Sequence, residues 1–60
     1  MSSDELFKML KADGWVFIRS KGSHHTFKHP VKKGIVVLPH PKKDIPKGTE
    51  HGILKQAGLI

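Results

Sequence analysis

The chain has 60 residues, no cysteine, and eleven Lys and Arg against five Asp and Glu, which gives a net charge of +6 and a pI of about 10.0. That length allows one small domain that buries only about 60% of its unfolded surface, and the missing cysteines exclude disulfide staples and thiolate metal sites. The longest apolar run, Ile35 to Leu38, is far too short for a membrane span, and Met1 to Glu5 is acidic where a signal peptide is basic and apolar, so a cytoplasmic protein is expected.

Ser2-Ser3-Asp4-Glu5 has the pattern of a capping box, with Ser2 as N-cap and Glu5 three residues on. Leu6, Phe7 and Leu10 then share one helical face while Lys8 and Lys11 point away. Gly14 supplies a left-handed stop, so the first helix is expected over about Ser3 to Asp13. Trp15 to Arg19 is aromatic and β-branched and reads as a strand, although its alternation leaves open which face is buried.

Lys21-Gly22-Ser23-His24-His25 reads as a tight turn, because glycine tolerates positive φ and serine bonds neighbouring backbone. His25 to His29 follows as the second strand and stops at Pro30. Its one large apolar residue, Phe27, is expected to face the core with His25 and His29, leaving His24, Thr26 and Lys28 on the solvated side. Val31 to Gly34 is a hairpin loop, and Ile35 to Pro39 is a third strand apolar enough to be central.

A basic linker, His40 to Pro46, leads to a second helix with Pro46 in its first turn. Ile53, Leu54 and Ala57 form its apolar stripe, Gly58 ends it, and Leu59 can pack back on Leu54. Gly48 and Gly52 weaken that helix, which suggests close packing or a close ligand at those positions. The class is therefore α+β, with the order α-β-β-β-α and both helices on one face of a three-stranded antiparallel sheet.

Charge is unevenly placed along this order. Residues 1–13 carry a balance of −1, and residues 14–60 carry +7, a footprint suited to nucleic acid. Lys28, Lys32, Lys33, Lys42 and Lys43 are the expected phosphate contacts, which give affinity without sequence choice. His24 is the first side chain to leave the turn, and a fixed, reachable imidazole is a candidate acid or base near neutral pH. On spacing alone, an ordinary turn with surface histidines is the plainer account.

RNA carries its own nucleophile, the 2′-hydroxyl, so cleavage needs only a base, an acid and positive charge on the phosphate. His25, His40, a lysine or water could be the second proton-transfer group. His29, before Pro30, reads as packing or capping the hairpin, and His40 reads as a side chain that could reach RNA. No pair of the five histidines has a recognised metal-ligand spacing, and adjacent His24 and His25 point to opposite faces, so no metal or other cofactor is expected.

Gly14-Trp15, Arg19, Gly22-Ser23-His24-His25, His29-Pro30, Pro46-Lys47-Gly48-Thr49 and Ile53-Leu54-Lys55-Gln56-Ala57-Gly58-Leu59 together resemble the HicA toxins. The resemblance covers nearly the whole chain. It implies a double-stranded-RNA-binding-domain-like fold, cleavage of mRNA, and neutralisation by a HicB antitoxin. The family's catalytic histidine follows Gly-Ser and corresponds to His24, with Gly22 and Ser23 supporting it. His51 would then be a surface residue or an antitoxin contact. Double-stranded-RNA binders open their second helix with a Lys-Lys-x-Ala-Lys clamp, whereas this chain has Lys47 early and Lys55 late. A non-catalytic RNA-binding module using the same basic face is the alternative.

Overall fold

The computed structural model describes residues 1–60, in the order α1 (Ser3–Ala12), β1 (Val16–Lys21), β2 (His24–Lys28), β3 (Ile35–Pro39) and α2 (Lys47–Gln56). The strands form one antiparallel sheet in the order β1-β2-β3. With the open sheet face left uncovered, this is the double-stranded-RNA-binding-domain-like architecture expected. No helix is long and apolar enough to cross a membrane.

α1 starts where its capping box dictates. Ser2 Oγ accepts from the Glu5 amide at 3.2 Å, and the Ser2 amide donates to Glu5 Oε1 at 2.9 Å. The Ser2 amide, donating to the carboxylate, holds the Glu5 carboxyl below its ordinary range. Both helices end in the same way, each at a glycine with positive φ, Gly14 at 99° and Gly58 at 72°. The Trp15 amide donates to Leu10 O and the Gly14 amide to Lys11 O; Leu59 and Gly58 repeat the pattern on Leu54 and Lys55. These are Schellman caps, and each is followed by a large apolar residue that packs on the core.

The core lies between the helices and one sheet face. Leu6 and Leu10 come from α1, Phe27 from β2, Val36 and Leu38 from β3, and Ile53 and Leu54 from α2, with Trp15, Ile45 and Ala57 from the connections. Ile45 sits inside the stretch read as a basic linker, and its burial fastens that linker to the core.

β3 is not central, as its apolar composition suggested; it is an edge strand, and β2 lies in the middle. Successive hairpins without a crossover place the second strand of three between its neighbours. The apolar run has a different origin. Val36 and Leu38 face the helices, whereas Ile35 and Val37 lie on the open face, 47% and 39% exposed. Close packing does not explain Gly48 and Gly52 either, since a Cβ at either position meets nothing within 4 Å.

Candidate functional site

The site begins with a two-residue turn. Lys21 pairs with His24, so Gly22 and Ser23 are the whole connection between β1 and β2. Gly22 has φ of 59° and no other residue of the turn has positive φ, the pattern of a type II′ hairpin with glycine first. Space is not the constraint, because a Cβ at Gly22 meets nothing within 4 Å. The left-handed backbone alone asks for glycine there. Ser23 O accepts from the His40 amide at 2.7 Å, which ties the turn to the start of the β3–α2 linker.

Strand pairing then sorts the histidines. His24 lies opposite Lys21 on one side and Pro39 on the other, whereas His25 lies opposite Ser20 and Leu38. Paired residues share a face, so His24 is on the open face and His25 on the helix face, as parity anticipates. His24 is exposed and bonded to nothing. The His25 ring packs 5.3 Å from Phe17, 6.4 Å from Phe7 and 5.0 Å from His40, with its Nδ1 buried and unpaired.

His40, expected to reach outward, is held on the helix side. Its Nδ1 is 2.7 Å from Ser3 Oγ, which also accepts from the Lys42 amide at 2.8 Å. It therefore lines a shallow depression with Asp4, Phe7 and Lys8, away from His24. His29 is a cap, in keeping with its expected role. Its Nε2 donates to Asp13 O at 2.7 Å, and its Nδ1 accepts from the Val31 and Lys32 amides at 3.0 Å each. His51 is exposed on α2.

The five expected phosphate lysines divide. Lys28 is exposed on the open face, paired with Val16 and Ile35, four residues and therefore roughly 13 Å along the strand from His24. Lys33 is exposed in the β2–β3 loop, at that same far end. Lys42 and Lys43 are exposed at the turn end, where the Lys42 backbone is clamped to Ser3.

Lys32 departs from the expected footprint. Its ammonium is engaged with the Asp13 carboxylate and donates to Ala57 O at 3.0 Å. It joins the C-terminal ends of the two helices, where a cation also complements both helix dipoles. That hydrogen bond holds the Asp13 carboxyl below its ordinary range.

Two cations that sequence reasoning missed stand nearer to His24. Arg19 pairs with Thr26, and Lys21 pairs with His24 itself, so both lie on the open face. The signal for Lys21 was present, because a two-residue turn makes its flanking residues cross-strand partners. Arg19, two residues back from Lys21 on an unbroken ladder, follows by the same rule and pairs with Thr26. The register shifts only beyond it, between Phe17 and Arg19, where Ile18 is the extra residue of a β-bulge that turns Phe17 to the core side opposite Phe27.

Residues 3–59 match a family model described as the HicA toxin of bacterial toxin-antitoxin. Among solved structures, a chain of a HicA3 and HicB3 toxin-antitoxin complex is 40% identical, with a TM-score of 0.84 over 98% of this chain and 96% of that one. No curated protein matches.

Proposed function

The chain belongs to the HicA toxin family, and from that premise we propose that it is an endoribonuclease that cleaves mRNA without a metal, with His24 as general acid or base. Residues 1–60 act as one HicA-like domain in the cytoplasm, and a HicB-like antitoxin neutralises it. The observation that carries this reading is the setting of His24. It is an exposed imidazole, bonded to nothing, on a sheet face whose strands hold Arg19, Lys21 and Lys28 and no Asp or Glu.

The chemistry follows from RNA itself. A base takes the 2′-hydroxyl proton, O2′ bonds to phosphorus, the P–O5′ bond breaks, and the leaving 5′-oxygen takes a proton. The products are a 2′,3′-cyclic phosphate and a 5′-hydroxyl. His24 serves one of the two proton transfers. Gly22 and Ser23 hold it at the hairpin tip, and Lys28, Lys33, Lys42 and Lys43 contribute phosphate contacts. Lys32 is left out because its ammonium is already engaged. No three His, Asp or Glu side chains converge in the fold.

The partner reading is supported by the complex in which the similar chain was solved. Val16, Ile35 and Val37 add an exposed apolar strip to the open face, where a protein partner can cover His24 and the cations together. One specific observation favours a non-catalytic RNA-binding module: the His25 and His40 rings lie across the sheet from His24 and cannot complete an acid–base pair with it.

Incubation with RNA in excess EDTA, with and without His24→Ala, decides between them. Cleavage by wild type and none by the variant is the expected result. Loss in EDTA with rescue by a divalent ion would sink the metal-free mechanism, and equal cleavage by both proteins would sink the role of His24.

A further inference from the structure

The β1–β2 hairpin has a consequence for ligand binding. Its ladder runs unbroken from the turn through Lys21 with His24, Ser20 with His25 and Arg19 with Thr26, which puts Arg19 and Lys21 on the open face with His24. The bulge at Ile18 lies just beyond and lets Phe17 turn to the core while those two cations stay on the face of His24. Lys21 is the cross-strand partner of His24, which brings their Cβ atoms within about 5 Å. Arg19 is two residues further along, roughly 6.6 Å, on the scale of the step between successive phosphates of an extended single strand.

Neither cation has a carboxylate partner, although the ammonium of Lys32 does. No strand carries an Asp or Glu, so Arg19, Lys21 and Lys28 repel one another across one face with no anion to offset them. Like charges packed on one sheet face are unfavourable in the free protein. A polyanion running along β1 from Lys21 to Arg19 relieves that repulsion.

We propose that Arg19 and Lys21, held on the hairpin beside His24, form a two-phosphate seat for a single-stranded RNA backbone. Lys21 holds the phosphodiester next to His24, and Arg19 holds the neighbouring phosphate. The placement of the scissile bond rests on the ribonuclease reading of His24; the seat itself does not.

The test has two arms. A fluorescein-labelled 2′-O-methyl oligonucleotide keeps the phosphates and lacks the nucleophile, so its binding across a salt series reads the seat without chemistry. Arg19→Gln and Lys21→Gln should each weaken binding by about tenfold and flatten the log–log salt slope by about 0.7, one phosphate contact each. Lys21→Arg should restore the slope. Lys47→Gln and Lys55→Gln, on the exposed surface of α2, should stay within about twofold of wild type, as expected away from a phosphate path. Thermal melts by circular dichroism confirm that each variant is folded.

In the second arm, the all-ribose strand is cleaved in EDTA. Lys21→Gln should lower kcat by about a hundredfold, the scale of losing one charge-stabilising group at a reacting phosphate, while Arg19→Gln mainly raises KM. If folded Arg19→Gln and Lys21→Gln keep the wild-type salt slope, the seat is wrong. If the slopes fall but wild type cleaves nothing, the seat stands and the ribonuclease reading fails.

Discussion

At the scale of single residues, His24 and Lys32 have opposite roles, although both were first placed on the functional face. The His24 side chain is exposed and makes no hydrogen bond in the fold, so His24→Ala should change stability by less than about 0.5 kcal/mol. The same change should abolish RNA cleavage, with RNA affinity within about threefold of wild type, because several cations rather than one imidazole carry binding. Urea unfolding, filter binding and gel cleavage assays on one preparation check all three outcomes. Lys32 should behave in the reverse way. Lys32→Met removes a tie between Asp13 and Ala57 O, so it should lower stability and leave RNA affinity nearly unchanged.

The sign with pH follows from the direction of the Asp13 shift. Its carboxyl is held below the usual carboxylate range by Lys32, so the folded state binds its proton less readily than the unfolded chain. The stabilisation is fully present above the unfolded value, about 3.9 for an aspartate, and is lost as pH falls through the folded value. The stability difference between wild type and Lys32→Met should therefore be constant from pH 7 to about pH 5 and shrink on further acidification. Urea midpoints for both proteins over that range measure it. A difference that persists unchanged down to acid would show that Lys32 acts only through Ala57 O.

At the scale of the element, α2 and the β1–β2 hairpin are local choices with different freedoms. Gly48 and Gly52 lie inside α2, are exposed, and have ordinary negative φ with open space at Cβ. Each is predicted to gain roughly 0.5–1 kcal/mol on replacement by Ala, from reduced unfolded-state entropy and better helix propensity. For a chain of this size that is a rise of about 4 °C in melting temperature per substitution, readable by calorimetry. A loss of RNA or antitoxin binding in these folded variants would give the two glycines a role at an interface. Gly22→Ala should instead destabilise by about 1 kcal/mol, because φ of 59° is strained for a residue with a Cβ even where there is room.

At the scale of the whole molecule, the charge distribution is polar in the plain sense. Asp4, Glu5 and Asp13 belong to α1 and its cap, Asp44 and Glu50 to the linker and α2, and the strands hold none. The open face therefore carries Arg19, Lys21 and Lys28 with no carboxylate on its strands, and an apolar strip through Val16, Ile35 and Val37. On the proposed reading, RNA and a HicB-like antitoxin compete for it. Binding of a HicB-like antitoxin should displace a 2′-O-methyl RNA, and Ile35→Ser with Val37→Ser should weaken the antitoxin at least tenfold more than the RNA. Titrations of each ligand into wild type and the double variant check this. Simultaneous binding of both ligands would place the antitoxin on another surface.

The order of elements, the capping box, both glycine stops and the outward direction of His24 were all legible in the residues. Each depends on interactions within a few positions of the chain, where periodicity and backbone preference act without help. The parity of β2 was readable for the same reason, since one large apolar residue, Phe27, sets which side is buried. What only the tertiary structure decided involves partners distant in sequence. Lys32 reads as another surface lysine until Asp13 and the end of α2 are brought beside it. Ile45 reads as linker until the core closes over it. Phe17 reaches the core on the same strand whose Arg19 and Lys21 face outward only because β1 bulges against β2 at Ile18, and a register shift is a property of two strands together, invisible in either alone.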